Sequence, residues 1–381
     1  MSLNNYLLLS GFNIIDENRG TAALGYGSIS FLYEKGYIDE NTTVVLLKTC
    51  RDFWNCGKRC KQERLFIQDK NTTFYTLYVF SLEVKMYILT GIHFPFTRFA
   101  KFLKKLKTVA AINGGDGFSD IYSTRIFKSR LTDTLIGMRK KAELVILPQT
   151  LGPFAELDNY HLAINILKSA KVVYVRDEQF VPELDKNNIN YEKTKDLSAY
   201  MKPEPWAIKI AHDSVGINIS GLAYYNGFPG LEGQFDAYPE LVNKLILHFQ
   251  SKGKNIYIIP HSYNYKTPEI NNDDMEASRE VYSRLTDKTG VTLIDKDLIS
   301  PQIKYVISKM SFFIGTRMHA NFAAIYTNVP VFGLAYSYKF VGAFEAHGQS
   351  KEQTVMINNI LSSDIDNIIQ RIDKYYNLTM I

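Results

Sequence analysis

In this 381-residue chain, the run Gly315-Thr316-Arg317-Met318-His319 has the residue types best suited to chemistry. It follows a short apolar stretch, 312–315, and precedes a segment of helical period. Its first free backbone N–H groups therefore open from a strand-to-helix turn, a ready place for an anion. Arg317 adds a planar, permanently charged fork that can grip a carboxylate or phosphate through two bonds. His319 can bind or deliver a proton near neutral pH. The competing reading is a surface ion pair for Arg317 and helix packing for His319; placement at a strand-to-helix junction favours the chemical one. Lys339, in Tyr336-Ser337-Tyr338-Lys339 after the next strand, adds a second positive charge, against the plainer reading of a solvated lysine. His261 follows Pro260 at the end of another apolar run, 255–259. Arg317, His319, Lys339 and His261 thus gather at three strand ends. No Asp or Glu occurs between Gly315 and Phe344. A nucleotide would want a carboxylate there for its ribose hydroxyls, so a small phosphorylated acid fits better.

The first half offers a different set. Asn113-Gly114-Gly115-Asp116-Gly117 follows the apolar run 108–112, with Asp120 shortly after. Glycines let backbone approach a ligand closely, and carboxylates can hold sugar hydroxyls or act as a base. A tight Gly-Gly turn with solvated aspartates is the equal alternative. Gln149 lies in the rigid loop Leu147-Pro148-Gln149-Thr150-Leu151-Gly152-Pro153, whose Pro and Gly can simply shape a turn. Arg176-Asp177 ends the run 172–175, as an ion pair or as a ligand contact. Asn18, in the polar turn from Asn13 to Gly20, completes this set.

Elements must position these residues, and the pattern supplies them. Short apolar runs at 6–10, 43–48, 108–112, 143–147 and 172–175 alternate with helix-period segments such as 21–35, the signature of an α/β fold with a mainly parallel sheet. A polar break at 201–206, flanked by Pro203 and Pro205, separates this half from a second series of strands at 215–220, 255–259, 312–315 and 329–335. Between them, 236–250 has an Asp at its start, Pro239 near the first turn and one stripe of Leu241, Val242, Leu245, Ile246 and Phe249. The expected fold is α/β, with two Rossmann-like domains facing across a cleft. Residues 1–204 form one and 205–381 the other, the last helix packing back on the first. Ligands in such sheets sit beyond the carboxyl ends of the strands.

Composition narrows the class. With 46% hydrophobic and 22% charged residues the chain suits a globular protein rather than a disordered or fibrous one. Forty-four basic against 39 acidic residues give +5, too little to suggest a nucleic-acid partner. Cys50, Cys56 and Cys60, spaced C-x5-C-x3-C without a nearby His, read as three free thiols rather than a metal site. No signal-peptide pattern opens the chain, and no apolar run approaches the ~20 residues needed to span a bilayer. The expected location is the cytoplasm, at most peripheral to a membrane at its inner face.

Six of these motifs, in this order, resemble the polysaccharide pyruvyltransferase family: Asn-Gly-Gly-Asp-Gly-Phe-Ser-Asp from 113, Leu-Pro-Gln-Thr-Leu-Gly-Pro from 147, Val-Arg-Asp from 175, Pro-His at 260, Gly-Thr-Arg-Met-His-Ala from 315 and Tyr-Ser-Tyr-Lys from 336. Asp116 stands where many relatives have a third glycine, and Phe180 replaces a frequent serine. The resemblance implies a GT-B-like fold and the attachment of pyruvate from phosphoenolpyruvate as a cyclic ketal across two sugar hydroxyls. It implies phosphoenolpyruvate binding by Gly315, Thr316, Arg317, His319, Lys339 and His261. It also implies catalysis by His319, Arg317 and Asp116. Asn18, Gly114, Gly115, Asp116, Asp120, Gln149 and Arg176 then hold the sugar acceptor, which a lipid can carry. No cofactor or metal is expected beyond the donor itself. Two rivals of other kinds are a GT-B glycosyltransferase using a nucleotide sugar and a non-catalytic carbohydrate-binding subunit.

Overall fold

The computed structural model describes residues 5–379, apart from the side chains of Tyr338 and Lys339. The chain divides into two compact units, each built on its own sheet. One holds residues up to Asn13 and Leu24–Met201; the other holds Ile14–Ala23 and the chain from Lys202 onward.

The first sheet has eight strands: β1 (Tyr6–Ser10), β2 (Thr43–Cys50), β3 (Lys61–Ile67), β4 (Lys70–Phe80), β5 (Leu106–Ala111), β6 (Glu143–Gln149), β7 (Val172–Val175) and β8 (Tyr191–Lys193). Their order is β3-β4-β2-β1-β5-β6-β7-β8, parallel throughout except for the β3–β4 hairpin. Parallel strands covered on both faces read as unbroken apolar runs, which is why most of them were legible. The hairpin was not. Its two-residue turn, Gln68-Asp69, has both residues at positive φ (53° and 64°), yet carries none of the glycine that usually announces such a turn. β6 also runs past its expected end at Leu147: it continues through Pro148 to Gln149, and its pairing with β7 becomes irregular between Ile146 and Gln149. Pro148 has no N–H to give the ladder.

The second sheet has six parallel strands, β9 (Ser214–Asn218), β10 (Asn255–Ile258), β11 (Val291–Leu293), β12 (Phe312–Gly315), β13 (Val331–Ala335) and β14 (Thr354–Met356), in the order β11-β10-β9-β12-β13-β14. The helix Tyr238–Ser251 buries Leu241, Val242, Leu245, Ile246 and Phe249 against one face of this sheet. The last helix, Ile365–Thr379, puts Ile365, Ile368, Ile369, Ile372 and Tyr376 into the same core of the second unit.

In each sheet the strand order reverses beside the first strand, between β1 and β5 and between β9 and β12. Connections leave these pairs in opposite directions, which opens a crevice at their carboxyl ends. Asn113–Gly117 follows β5, and Gly315, the last residue of β12, leads into Thr316–His319.

The thiols differ from expectation. Cys50, at the end of β2, and Cys56, in the short helix Phe53–Cys56, are paired as a disulfide with Cα atoms 6.0 Å apart, and Cys60 is the free one. The tight turn after β2 makes that approach, which spacing alone could not disclose. No helix among the described residues is long and apolar enough to cross a membrane.

Leu245 is fully buried in the core of the second unit. Leu245→Ala is expected to cost about 2–5 kcal/mol, seen as a lower urea midpoint for that unit's unfolding transition.

Candidate active site

The β9/β12 crevice is organised by a residue that the sequence reading passed over. Asp274, fully buried at the start of the helix Asp274–Arg284, accepts hydrogen bonds on both carboxylate oxygens. Oδ1 takes Arg317 Nε (3.0 Å), Arg317 Nη2 (2.7 Å) and the Gly221 N–H (2.9 Å). Oδ2 takes the N–H groups of His261 (3.2 Å) and Ser262 (2.9 Å) and Asn218 Nδ2 (3.3 Å). One charge thus fastens the loops after β9, β10 and β12.

Arg317 is accordingly only partly available. Its Nη2 also donates to the backbone and side-chain oxygens of Asn272, both at 2.8 Å. Among the described residues Nη1 makes no hydrogen bond. The expected two-pronged grip on an anion is corrected to a single free edge, held rigid by its neighbours. Desolvation opposes the charge of Arg317, but Asp274 more than offsets it and raises its pKa, so the guanidinium stays protonated. The expectation of a site without acids is corrected as well: Asp274 enters from a remote helix. Its six donors leave it no free lone pair for a ribose hydroxyl.

Thr316 and Gly315 set the turn. Thr316 Oγ1 lies 2.7 Å from the Tyr238 hydroxyl and 3.2 Å from the Asn218 carbonyl, and Asn218 Oδ1 accepts the Arg317 N–H at 2.8 Å. A side chain on Gly315 would meet Asn321, whose amide lies 2.5 Å from the Cβ position and donates to the carbonyls of Gly315 and Arg317. His319, in the first turn of the helix Met318–Ile325, stands edge-on to Phe322 with ring centres 5.5 Å apart.

His261 is buried, and its pKa lies well below the ordinary histidine range. Desolvation is the main cause, followed by the nearby His319, Arg317 and Arg19. The imidazole is therefore neutral at pH 7 and able to accept a proton. No hydrogen bond to its ring is found among the described residues.

Asn18 does not sit with the first-half set. It pairs by an isolated bridge with Ser262, and Arg19 N–H donates to the His261 carbonyl at 3.2 Å. Asn18 Oδ1 accepts the Gly20 N–H at 2.9 Å, capping the helix Arg19–Glu34. Arg19 was also missed. Its guanidinium donates to the carbonyls of Leu298, Asp16 and Glu17, pairs with Asp297 at 2.9 Å and stacks over Tyr263 at 4.3 Å. Gly20 permits this docking, since a Cβ there would lie 2.7 Å from the His319 ring.

In the first unit, Gly114 and Gly115 take φ values of 81° and 83°, a left-handed pair that folds the loop sharply after β5. Asp116 stays partly exposed and accepts the Tyr122 hydroxyl at 2.9 Å. The other first-half candidates make hydrogen bonds within the unit. Gln149 accepts the Asn113 N–H and donates to the carbonyls of Ala111 and Leu147. Asp120 accepts from Ala155, Glu156 and Asn159; its burial is outweighed by these bonds, so its pKa is lowered. Arg176 pairs with buried Asp196 and donates to Thr150 Oγ1. Gln149 and Arg176 lie at strand ends, as read, and Asp120 lies in the loop after β5; all three side chains are largely buried. Arg130 was overlooked: its Nη1 and Asn113 Oδ1 are buried beside Gly117 without hydrogen-bond partners among the described residues, while its guanidinium lies over the Tyr122 ring at 5.4 Å. Lys339 lies in the helix Tyr338–Ala346, and its side chain is outside the described residues.

Residues 18–338 match the family described as polysaccharide pyruvyl transferase. No curated protein matches the chain. Among solved structures, UDP-GlcNAc 2-epimerase from Neisseria meningitidis, bound to UDP-GlcNAc, is similar with a TM-score of 0.56 at 13% identity, over 99% of this chain and 94% of that one. UDP-GlcNAc 2-epimerase from Methanocaldococcus jannaschii has a TM-score of 0.56 at 11% identity, over 98% and 92%. At such identities the likeness is one of fold, and the fold is GT-B-like.

Asp274→Asn keeps the shape but strands the Arg317 charge. A loss of about 3–5 kcal/mol is expected, read as a lower thermal or urea midpoint. His261 gives a pH test. Below about pH 6.5 the unfolded chain protonates this histidine while the folded one does not, so stability falls with pH from there, by up to about 1.4 kcal/mol per unit. Urea melts at pH 7 and pH 5 should show a shallower decline for His261→Gln than for the wild type.

Proposed function

Because the chain belongs to the polysaccharide pyruvyl transferase family, we propose that it moves pyruvate from phosphoenolpyruvate onto two hydroxyls of a sugar in a cell-surface polysaccharide or its precursor. The product is a cyclic ketal, with phosphate released. The supporting observation is the second unit's convergence of Arg317, His319 and neutral His261 at the β9/β12 switch, where Asp274 is saturated. A small dianion or trianion is the ligand such a positive, crowded site selects.

The donor is bound by residues of the second unit, and Asp116 is a candidate for holding sugar hydroxyls. Arg317 Nη1 and the turn at Gly315-Thr316 hold one anionic group, and Lys339 neutralises the phosphate. His319, protonated, gives its proton to the methylene carbon of the donor, which becomes a methyl group. The central carbon is then electrophilic, and a sugar hydroxyl adds to it while its proton passes to a base. His261 is preferred to Asp116 as that base, being uncharged and beside His319. The negative donor also offsets the charges of Arg317, His319 and Arg19 that disfavour protonating His261. The carbon–oxygen bond to phosphate breaks, the neighbouring hydroxyl closes the ring, and its proton leaves with phosphate. Side-chain charge supplies the electrostatic stabilisation, so the reaction is expected to persist in a chelator.

The test combines purified protein, phosphoenolpyruvate and sugar acceptors, following phosphate release and the mass gain of a pyruvyl ketal. Arg317→Ala and His319→Ala should each lower kcat by about 100-fold or more. Full activity in either variant, or thermal stabilisation by a nucleoside diphosphate but not by phosphoenolpyruvate, would overturn the reading.

A further inference from the structure

The first unit carries an apolar surface that the candidate site does not use. Phe53, Trp54, Leu82, Leu89, Ile92 and Phe96 are exposed, Trp54 to 83% and Phe96 to 92%. Three stretches of chain come together here. The Phe53 ring stands edge-on to Phe80 at 5.5 Å and Phe94 at 6.5 Å, and the Arg98 guanidinium donates to the Gly57 carbonyl at 2.8 Å. Phe96 is held at φ +62°, a backbone region that side chains avoid. Its loop is fastened from below by buried Glu83, whose Oε1 accepts the Phe94 N–H (3.1 Å) and the Thr97 hydroxyl (2.7 Å). The loop is thus built to display an aromatic ring outward.

The same stretch of chain is strongly basic. The helix Arg98–Lys105 buries Phe99, Ala100, Phe102 and Leu103 and leaves Arg98, Lys101, Lys104 and Lys105 exposed. Lys58, Arg59 and Lys85 are exposed nearby along the chain. Residues 51–107 hold twelve Lys and Arg against four Asp and Glu, a net +8 in a chain of net +5, so the remainder of the molecule is negative. Exposed aromatic and aliphatic side chains thus share one segment with a marked excess of basic ones. They match a fluid surface whose interior is apolar and whose face is anionic.

We propose that this surface docks the protein on an anionic lipid bilayer, with Trp54 and Phe96 entering the interface and the lysines meeting lipid headgroups. The inference does not depend on the transfer chemistry, and its test measures binding alone.

Full-length protein is floated with vesicles of phosphatidylcholine alone or with about 40 mol% phosphatidylglycerol. Binding is expected only to the anionic vesicles, and it should fall about tenfold or more when salt is raised to about 0.5 M. Trp54→Ser/Phe96→Ser and Lys101→Glu/Lys104→Glu should each weaken it about tenfold. Both pairs are exposed, and unchanged thermal melts confirm folding. In a Trp206→Phe background, where Trp54 is the remaining tryptophan, its fluorescence should shift to shorter wavelength on adding anionic vesicles. Absence of binding to anionic vesicles at low salt overturns the proposal. So does undiminished binding by both double variants, or a concentration-dependent dimer that Trp54→Ser/Phe96→Ser abolishes, since the surface would then join two copies of the chain.

Discussion

A buried carboxylate with six donors holds the second unit's site in place. Asp274 collects two bonds from Arg317, one from Asn218 and three backbone N–H groups, from Gly221, His261 and Ser262. Burying an isolated carboxylate is costly, and burying half of this arrangement would be as bad. The cost is offset only when the loops after β9, β10 and β12 all reach Asp274 together. The same requirement that stabilises the fold therefore sets where Arg317 and His261 stand. Geometry at the site and stability of the unit are coupled through one residue.

That coupling explains the electrostatic character of the crevice. Arg317 spends one edge on Asp274 and Asn272, which removes its rotational freedom and aims the other edge. Arg19 is spent entirely on carbonyls, Asp297 and the Tyr263 ring, yet its charge still acts on His261. The glycines matter for a steric reason. Gly20 lets a helix start against His319, and Gly315 lets Asn321 fold back over the turn. A Cβ at either place would push apart the groups whose proximity creates the local field.

The modest net charge of the chain hides a strong asymmetry. Basic residues concentrate in 51–107, where a hairpin at the sheet edge and three short helices leave Phe53, Trp54, Leu82, Leu89, Ile92 and Phe96 exposed, while the remainder is net negative. A global +5 is thus a poor guide to partners, because association responds to local potential within a Debye length.

The parallel strands, the stripe of the helix Tyr238–Ser251 and the strand-end placement of Gly315–His319 were legible from the chain, because each depends on local order of apolar and polar residues. The family was legible too, since six motifs in sequence carry it. The β3–β4 hairpin was not, for want of a turn residue that declares positive φ. Nor was the part played by Asp274, which lies 43 positions from Arg317 and looks from sequence like half of an ordinary Asp-Asp helix cap. Gln149 and Arg176 were recognised at strand ends and Asp120 shortly after the glycine run, but which way they face was settled by packing against Asn113, Asp196 and Asn159. Sequence determined which chemistry could stand at the strand ends. Only tertiary structure decided which of those side chains are spent on each other and which remain for a ligand, because a hydrogen bond between distant residues leaves no periodic trace along the chain.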